Sequence, residues 1–343
     1  MDTVFVTGGT GFVGANLVRL LLDKGFKVKA LARPGSNRRN LDGLAVEIVE
    51  GDLLSSEALS RGAQGARYVF HIAADYRVWV PNPEEMTAAN VQGSINVVEA
   101  AAKAGAERVV HCSSVATVKV SGGRAPADEN SFYPGPEKIV GAYKKSKFLA
   151  EQAVLELARK GRPVVVVNPA APIGAHDVKP TPTGKIVVDF LSGRMPSYID
   201  TGLNVVSVQD VAQGHLSAAL KGRVGERYIL GGENLTLKDI LFLLARVSGA
   251  KPPKFKTPYA VAYAFAALDS ARAGLFGGEP LAPLDAVRMA RHYMWFDSGK
   301  AKRELGYSPR PAEDALREAV RYFTDNGYVK GRAHKAEKDL APA

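Results

Sequence analysis

Three residues in this sequence have side chains suited to moving a proton at an oxygen: Ser114, Tyr143 and Lys147. Tyr143 and Lys147 stand four apart in Tyr143-Lys144-Lys145-Ser146-Lys147, which puts both on one face if the segment is helical. A phenol ordinarily loses its proton near pH ~10. A neighbouring ammonium stabilises the phenolate and lowers that value. Such a tyrosine can give a proton to a carbonyl oxygen or take one from an alcohol. Lys144 and Lys145 point elsewhere on the same helix and are expected as surface charges. Cys112-Ser113-Ser114 closes an apolar run, and the Ser114 hydroxyl there can hold a substrate oxygen beside Tyr143. Ser113 is expected to satisfy polar groups at the strand end or to cap a helix. Asn90, in Asn90-Val91-Gln92-Gly93, either bonds backbone and positions water near the lysine or simply packs.

These residues need a scaffold, and the first half of the chain supplies one. Short apolar runs at 3–7, 27–32, 46–50, 68–73, 108–113 and 163–168 alternate with patterns of helical period, notably 12–24, 84–104 and 142–160. Strands alternating with helices imply βαβ units and a doubly wound parallel α/β sheet of the Rossmann type. Runs 68–73 and 164–167 are almost wholly apolar, as strands covered on both faces are. In a parallel sheet the ends of the first, fourth and fifth runs share one edge, where ligands bind.

The first turn reads Thr7-Gly8-Gly9-Thr10-Gly11-Phe12-Val13-Gly14 between the first strand and the first helix. Gly8 permits a sharp turn, Gly11 lets backbone approach a pyrophosphate, and Gly14 lets helix and strand pack closely. The helix N-terminus offers free N–H groups and a positive dipole end to phosphate. Thr10, Phe12 and Val13 lie along that same ligand-facing turn. After the second strand, dinucleotide enzymes that use NAD usually carry an acid that bonds the ribose hydroxyls. Here the chain reads Leu31-Ala32-Arg33-Pro34-Gly35-Ser36. Ala32 cannot make that bond, whereas Arg33 can meet a 2′-phosphate with Ser36 and Arg38 assisting. NADP(H) is therefore expected, with NAD(H) the alternative. Asp52, in Gly51-Asp52-Leu53, either receives the adenine amino group or simply shapes a turn. The small Ala73 and Ala74 leave room for a dinucleotide across the strand ends.

The second half changes character. Pro169, Pro172, Pro180, Pro182 and Pro196 punctuate 169–202, which reads as a loop-rich cleft lining. Short strands are expected at 205–208 and 226–230, and helices at 236–248, 258–273, 283–291 and 312–326. The division is a dinucleotide-binding part over 1–168, a smaller substrate lobe over 169–330 with some segments returning to the first part, and a charged tail over 331–343. The stretch 258–268 is very apolar and is expected in the core first, with a lid over an isoprenoid or lipid substrate, or a membrane-surface contact, as minority readings.

Composition narrows the function classes. The chain has 343 residues, a net charge of +10 and one cysteine, Cys112, which excludes an intramolecular disulfide and suits a reducing, cytoplasmic compartment. No apolar run approaches the roughly 20 residues of a membrane span. No secretory pattern is read at the start, and no metal site is expected. The positive charge is dispersed apart from Arg33, Arg38 and Arg39, without the aromatic-plus-basic array of nucleic-acid binders.

With these residues in view, the sequence resembles the extended short-chain dehydrogenase/reductases over nearly its whole length. The resemblance is carried by Thr7–Gly14, Asp52-Leu53, Ala73-Ala74, Asn90–Gly93, Ser113-Ser114, Tyr143–Lys147, Asn168-Pro169, Asp297–Ala301 and Glu304–Pro311. It implies that Tyr143 exchanges the proton, that Lys147 tunes it and binds the nicotinamide ribose, that Ser114 positions substrate and that Pro169 lies at the cofactor. Residues 113–117 and Arg33 look like dihydroflavonol 4-reductases; residues 73–81, 179–185 and 228–234 resemble hopanoid-associated sugar epimerases. The resemblance also implies a homodimer pairing 84–104 with 142–160. Three activities follow as expectations: an NADP(H)-dependent reductase acting on a carbonyl or alcohol, possessed of a small-molecule substrate that is isoprenoid- or sugar-linked; a nucleotide-sugar epimerase or dehydratase holding NAD; and a dinucleotide sensor without turnover.

Overall fold

A computed structural model describes residues 1–75, 82–120, 122–277, 280 and 284–329. Its first half builds β1 (Thr3–Thr7), α1 (Phe12–Asp23), β2 (Lys27–Ala32), β3 (Val46–Glu50), α2 (Ser56–Ala63), β4 (Ala66–His71), α3 (Pro83–Lys103), β5 (Arg108–Cys112), α4 (Ala142–Arg159) and β6 (Val164–Pro169). The strands are rich in valine and other β-formers, and β6 is buried along its full length. Capping residues set several helix starts: Asn82 accepts backbone N–H bonds ahead of Pro83 in α3, and Ser55 does so for α2.

The remaining elements are β7 (Ala171–Ile173), α5 (Pro182–Leu191), β8 (Ser197–Tyr198), β9 (Gly202–Ser207), α6 (Val208–Lys221), β10 (Arg227–Leu230), β11 (Glu233–Thr236), α7 (Leu237–Ser248), β12 (Phe255–Lys256), α8 (Tyr259–Phe276), α9 (Leu284–Met289), β13 (Tyr293–Met294), α10 (Gly299–Leu305) and α11 (Ala312–Asp325). The main sheet has seven strands in the order β10-β6-β5-β4-β1-β2-β3, all parallel. β1, α1 and β2 run on one side of a reversal whose other side starts at β4, so the strand ends open a crevice between β1 and β4. One hydrophobic layer packs α1 and α6 on the sheet through Leu17, Val18, Leu21, Val211 and Leu216. The opposite layer packs α2, α3 and α4 through Leu59, Val97, Val98, Ala101 and Val154. A third cluster joins α5, α7 and α11 over β9.

Several expectations are corrected. The proline-rich stretch after Asn168 is not loop throughout, because Thr181 caps a helix whose first residue is Pro182, the place where a missing N–H costs nothing. α6 and α10 were not expected, and β10 returns to the main sheet beside β6. The fourth strand runs Ala66–His71, two residues earlier than read. The apolar stretch from 258 is helical but not core. Within α8 only Ala266, Asp269 and Ala273 are buried, while Val261, Phe265, Leu268 and Leu275 are exposed. The charged tail over 331–343, residues 76–81 of the resemblance and Pro283 at the start of an expected helix lie outside the described residues.

Candidate active site

The glycine turn is fixed by contacts that leave no room for a side chain. Gly8 sits at φ +76°, and a Cβ there would lie 2.5 Å from the Ala73 nitrogen across the crevice. A Cβ on Gly14 would come within 2.1 Å of the Gly8 carbonyl oxygen, so α1 packs directly on the turn. Gly11 differs: the nearest atom to a Cβ there is the Gly8 oxygen at 3.4 Å, so its α-carbon faces open space. Gly11 is also the N-cap of α1 and supplies no side-chain cap, which leaves the first N–H groups to a phosphate. Asn40 Nδ2 donates to the carbonyls of Thr10 (3.0 Å) and His176 (3.1 Å), tying the turn to the second half of the chain. Asn16 Nδ2 does the same with Phe12 and Ala175. Open Gly11, an uncapped helix and the small Ala73 and Ala74 fit a dinucleotide.

At the adenosine end, Ala32 is buried at the end of β2 and Arg33 is exposed. The Ser36 hydroxyl donates to the Arg33 carbonyl at 2.7 Å, so it shapes the loop that presents Arg33. Arg38 is ion-paired with Glu50 at 2.5 Å. Asp52 Oδ1 accepts the N–H groups of Leu54 (2.8 Å) and Ser55 (3.0 Å), the turn-shaping alternative. Leu53 packs on Gly93, where a Cβ would meet it at 2.9 Å.

Ser114, Tyr143 and Lys147 converge on the carboxyl edge between β5 and α4. The Ser114 hydroxyl neighbours the Tyr143 phenol. Burial pushes the phenol above its ordinary value, and the Ser114 hydroxyl opposes that shift. Burial outweighs what opposes it, so the net shift runs against the expected lowering. Lys147 Nζ instead donates to the Cys112 carbonyl at 2.7 Å, and burial lowers its own value.

The capping expected of Ser113 is made by Ser114. Ser114 accepts the Ala116 N–H (3.1 Å) and caps the short 3-10 turn Val115–Thr117, while the buried Ser113 hydroxyl has no hydrogen-bond partner among the described residues. Lys144 is half-buried, and burial lowers its value, so it is no solvated surface charge; Lys145 is exposed as expected.

Sequence reading missed the layer beneath. Glu151 extends the Tyr143–Lys147 spacing by one more helical turn and is fully buried. Its Oε2 accepts from Thr117 Oγ1 (2.9 Å) and Asn168 Nδ2 (2.7 Å), and its Oε1 from Arg227 Nη1 (2.8 Å). The signal was available in that third residue of the stripe, but its partner Arg227 is remote in sequence. Asn90 bonds backbone, as one of its readings held. Its Oδ1 accepts the Asp75 N–H (2.8 Å), and its Nδ2 donates to the Asp75 carbonyl and to Ser146 Oγ, both at 3.0 Å. Ser146 in turn donates to the Tyr143 carbonyl (2.9 Å). From the other end, Ser94 donates to the Asn90 carbonyl (2.7 Å), which leaves its oxygen to accept His71 Nε2–H (3.0 Å) and leaves Nδ1 to accept the Thr7 hydroxyl (2.7 Å). A continuous buried chain thus runs from the glycine turn to α4.

The sequence profile of the family described as "NAD dependent epimerase/dehydratase family" matches residues 4–231. The chain belongs to this family. A Synechocystis protein named "Putative dihydroflavonol 4-reductase" is 45% identical over 333 residues, 96% of each chain. A Methylococcus capsulatus protein named "Sterol demethylase protein B" is 33% identical over 95% of this chain and 100% of its own. The crystal structure of gox2253 superposes with a TM-score of 0.85 at 44% identity, covering 96% of this chain and 100% of that one. This member of the epimerase/dehydratase family, an extended short-chain dehydrogenase/reductase, is thus an NAD(P)-dependent enzyme of the oxidoreductase type.

Proposed function

We propose that the chain is an NADP(H)-dependent reductase of a small-molecule ketone, with Ser114, Tyr143 and Lys147 as its catalytic residues. The observation that carries this reading is the gathering of Ser114, Tyr143 and Lys147 at the carboxyl edge of the sheet, with Lys147 Nζ anchored on the Cys112 carbonyl at 2.7 Å. Gly8, Thr10, Gly11, Phe12, Val13 and Gly14 would hold the pyrophosphate, Arg33 and Ser36 the 2′-phosphate, Asp52 and Leu53 the adenine end, and Ala73, Ala74 and Pro169 the path toward the nicotinamide. The bound cofactor supplies a hydride. Ser114 holds the substrate oxygen. Tyr143 gives its phenolic proton to that oxygen as the carbonyl carbon is reduced, which yields the alcohol and leaves phenolate. Lys147, charged and anchored on the Cys112 carbonyl, stabilises that phenolate until water returns the proton.

The relatives named for a flavonoid reductase and for sterol demethylation favour an apolar cyclic or isoprenoid ketone over a sugar. A panel of such ketones, followed by NADPH absorbance, tests the reading: one substrate consumed mole for mole with NADPH supports it, and no consumption across the panel overturns it. The family description motivates a second reading, an epimerase or dehydratase that keeps NAD and returns the hydride. Native mass spectrometry showing retained NAD would favour it. We also propose a homodimer through α3 and α4, checked by light scattering, and a cytoplasmic location, for which the buried free thiol of Cys112 is the support.

A further inference from the structure

α8 breaks the rule that an apolar helix is covered. Its buried face is small, made by Ala266, Asp269 and Ala273, and it packs against α9, where Leu284 N–H donates to Ser270 Oγ at 3.3 Å. The opposite face presents Val261, Phe265, Leu268 and Leu275 at helical spacing, exposed by 58, 55, 73 and 80%. These residues share one face, interrupted by Arg272 between Leu268 and Leu275, and are not scattered surface residues. No helix among the described residues is long and apolar enough to cross a membrane.

The charges around the stripe say what covers it. Exposed Lys251 and Lys254 precede α8 in the chain, and exposed Arg291 follows it, as does Arg288, which pairs with Asp285 at 3.3 Å. Arg272 stands inside the stripe, its guanidinium turned onto Asp269 at 2.8 Å. From 251 to 292 the sequence holds six basic and three acidic residues. A second copy seated on this face would set these cations against themselves, whereas an anionic surface neutralises them. An apolar face with cations at its margins is the pattern of a helix lying in a membrane interface.

We infer that the exposed face of α8 docks on an anionic lipid bilayer. The inference stands apart from the reaction proposed above, since it concerns only binding. It does place the docking face beside the reaction: a Cβ on Gly141, the N-cap of α4, would lie 3.9 Å from Asp285 Oδ2 of α9, so the pair of helices stands at the start of the catalytic helix. A substrate dissolved in the lipid would meet the enzyme at that end.

Cosedimentation of the full chain with vesicles of phosphatidylglycerol and phosphatidylcholine in equal parts tests this. The expected result is binding at low salt that weakens steeply as salt rises and falls about tenfold or more on pure phosphatidylcholine. The pair Phe265→Ser and Leu268→Ser should cost about tenfold or more in partitioning. The pair Lys254→Gln and Arg291→Gln should cost about fivefold per charge. Both positions pairs are exposed, so thermal unfolding of each variant should match the parent and exclude misfolding as the cause. Protein that stays in the supernatant at low salt, or serine variants that bind as the parent does, overturns the inference. So does a fall in solution mass for the serine variant, which would make the face a contact between copies.

Discussion

Beneath Tyr143, the Glu151 carboxylate gathers three donors and the Thr7–Tyr143 chain of hydrogen bonds runs without reaching solvent. Beside the same tyrosine, α8 presents leucine and phenylalanine to solvent, and Asp285 of α9 lies near Gly141 at the start of α4. The floor is over-determined by buried polar partners, each of which is costly to strand. The α8–α9 side is held by small residues and a modest interface. The chemistry common to a family needs the first kind of construction, and a substrate particular to one member is best accommodated by the second.

Substitutions on the two sides should separate sharply. Tyr143→Phe removes the proton donor and should lower kcat by about a thousandfold with cofactor binding nearly unchanged, read from steady-state rates and a fluorescence titration. Equal rates would detach the floor from catalysis. Arg227→Met strands Glu151 and should destabilise by roughly 3–5 kcal/mol, measured by denaturant unfolding. A variant as stable as the parent would show the floor to be less constrained than its hydrogen bonds imply.

Acid should attack the floor as well. Burial holds His71 at about 3 and His215 at about 4, with His111 well below its ordinary value of 6.5. The unfolded chain therefore binds protons that the folded one refuses. Stability present above pH 6.5 is lost as pH falls toward 4, with a slope near 1.4 kcal/mol per pH unit for each such histidine. Asp177, which burial raises to about 6, tilts the opposite way below that pH and offsets one of the three. The unfolding temperature should fall between pH 6.5 and 4; a flat profile contradicts the neutral buried imidazoles.

Arg33→Ala should lower the NADPH-over-NADH preference in kcat/KM by about tenfold to a hundredfold, the worth of a charge-assisted bond. An unchanged ratio would move cofactor choice away from the turn after β2. The smallest effect belongs to α8: Leu268→Ser should change stability by less than about 0.5 kcal/mol by thermal unfolding. A larger loss would mean that α8 is packed after all.

What sequence alone disclosed follows the same division. β1, the glycine turn and α1 were legible because turn chemistry and helical period occur together within one short segment. Tyr143 and Lys147 were legible because a spacing of four is a local fact. Glu151 was one turn further along, but its meaning depends on Arg227, Asn168 and Thr117, which arrive from three other elements. α6 escaped because it is buried nearly all round, from Val208 through Ala219, and so shows no polar face to mark its period. α5 escaped behind prolines, and α8 was taken for core because composition records apolarity and not what covers it.

The hydrogen-bonded chain from Thr7 through His71, Ser94 and Asn90 to Ser146 also bears on recombination among relatives. It crosses β1, β4, α3 and α4, so a crossover between His71 and Asn90 would join a histidine from one parent to an asparagine from another. The glycine turn and the tyrosine helix should therefore exchange between relatives as one block.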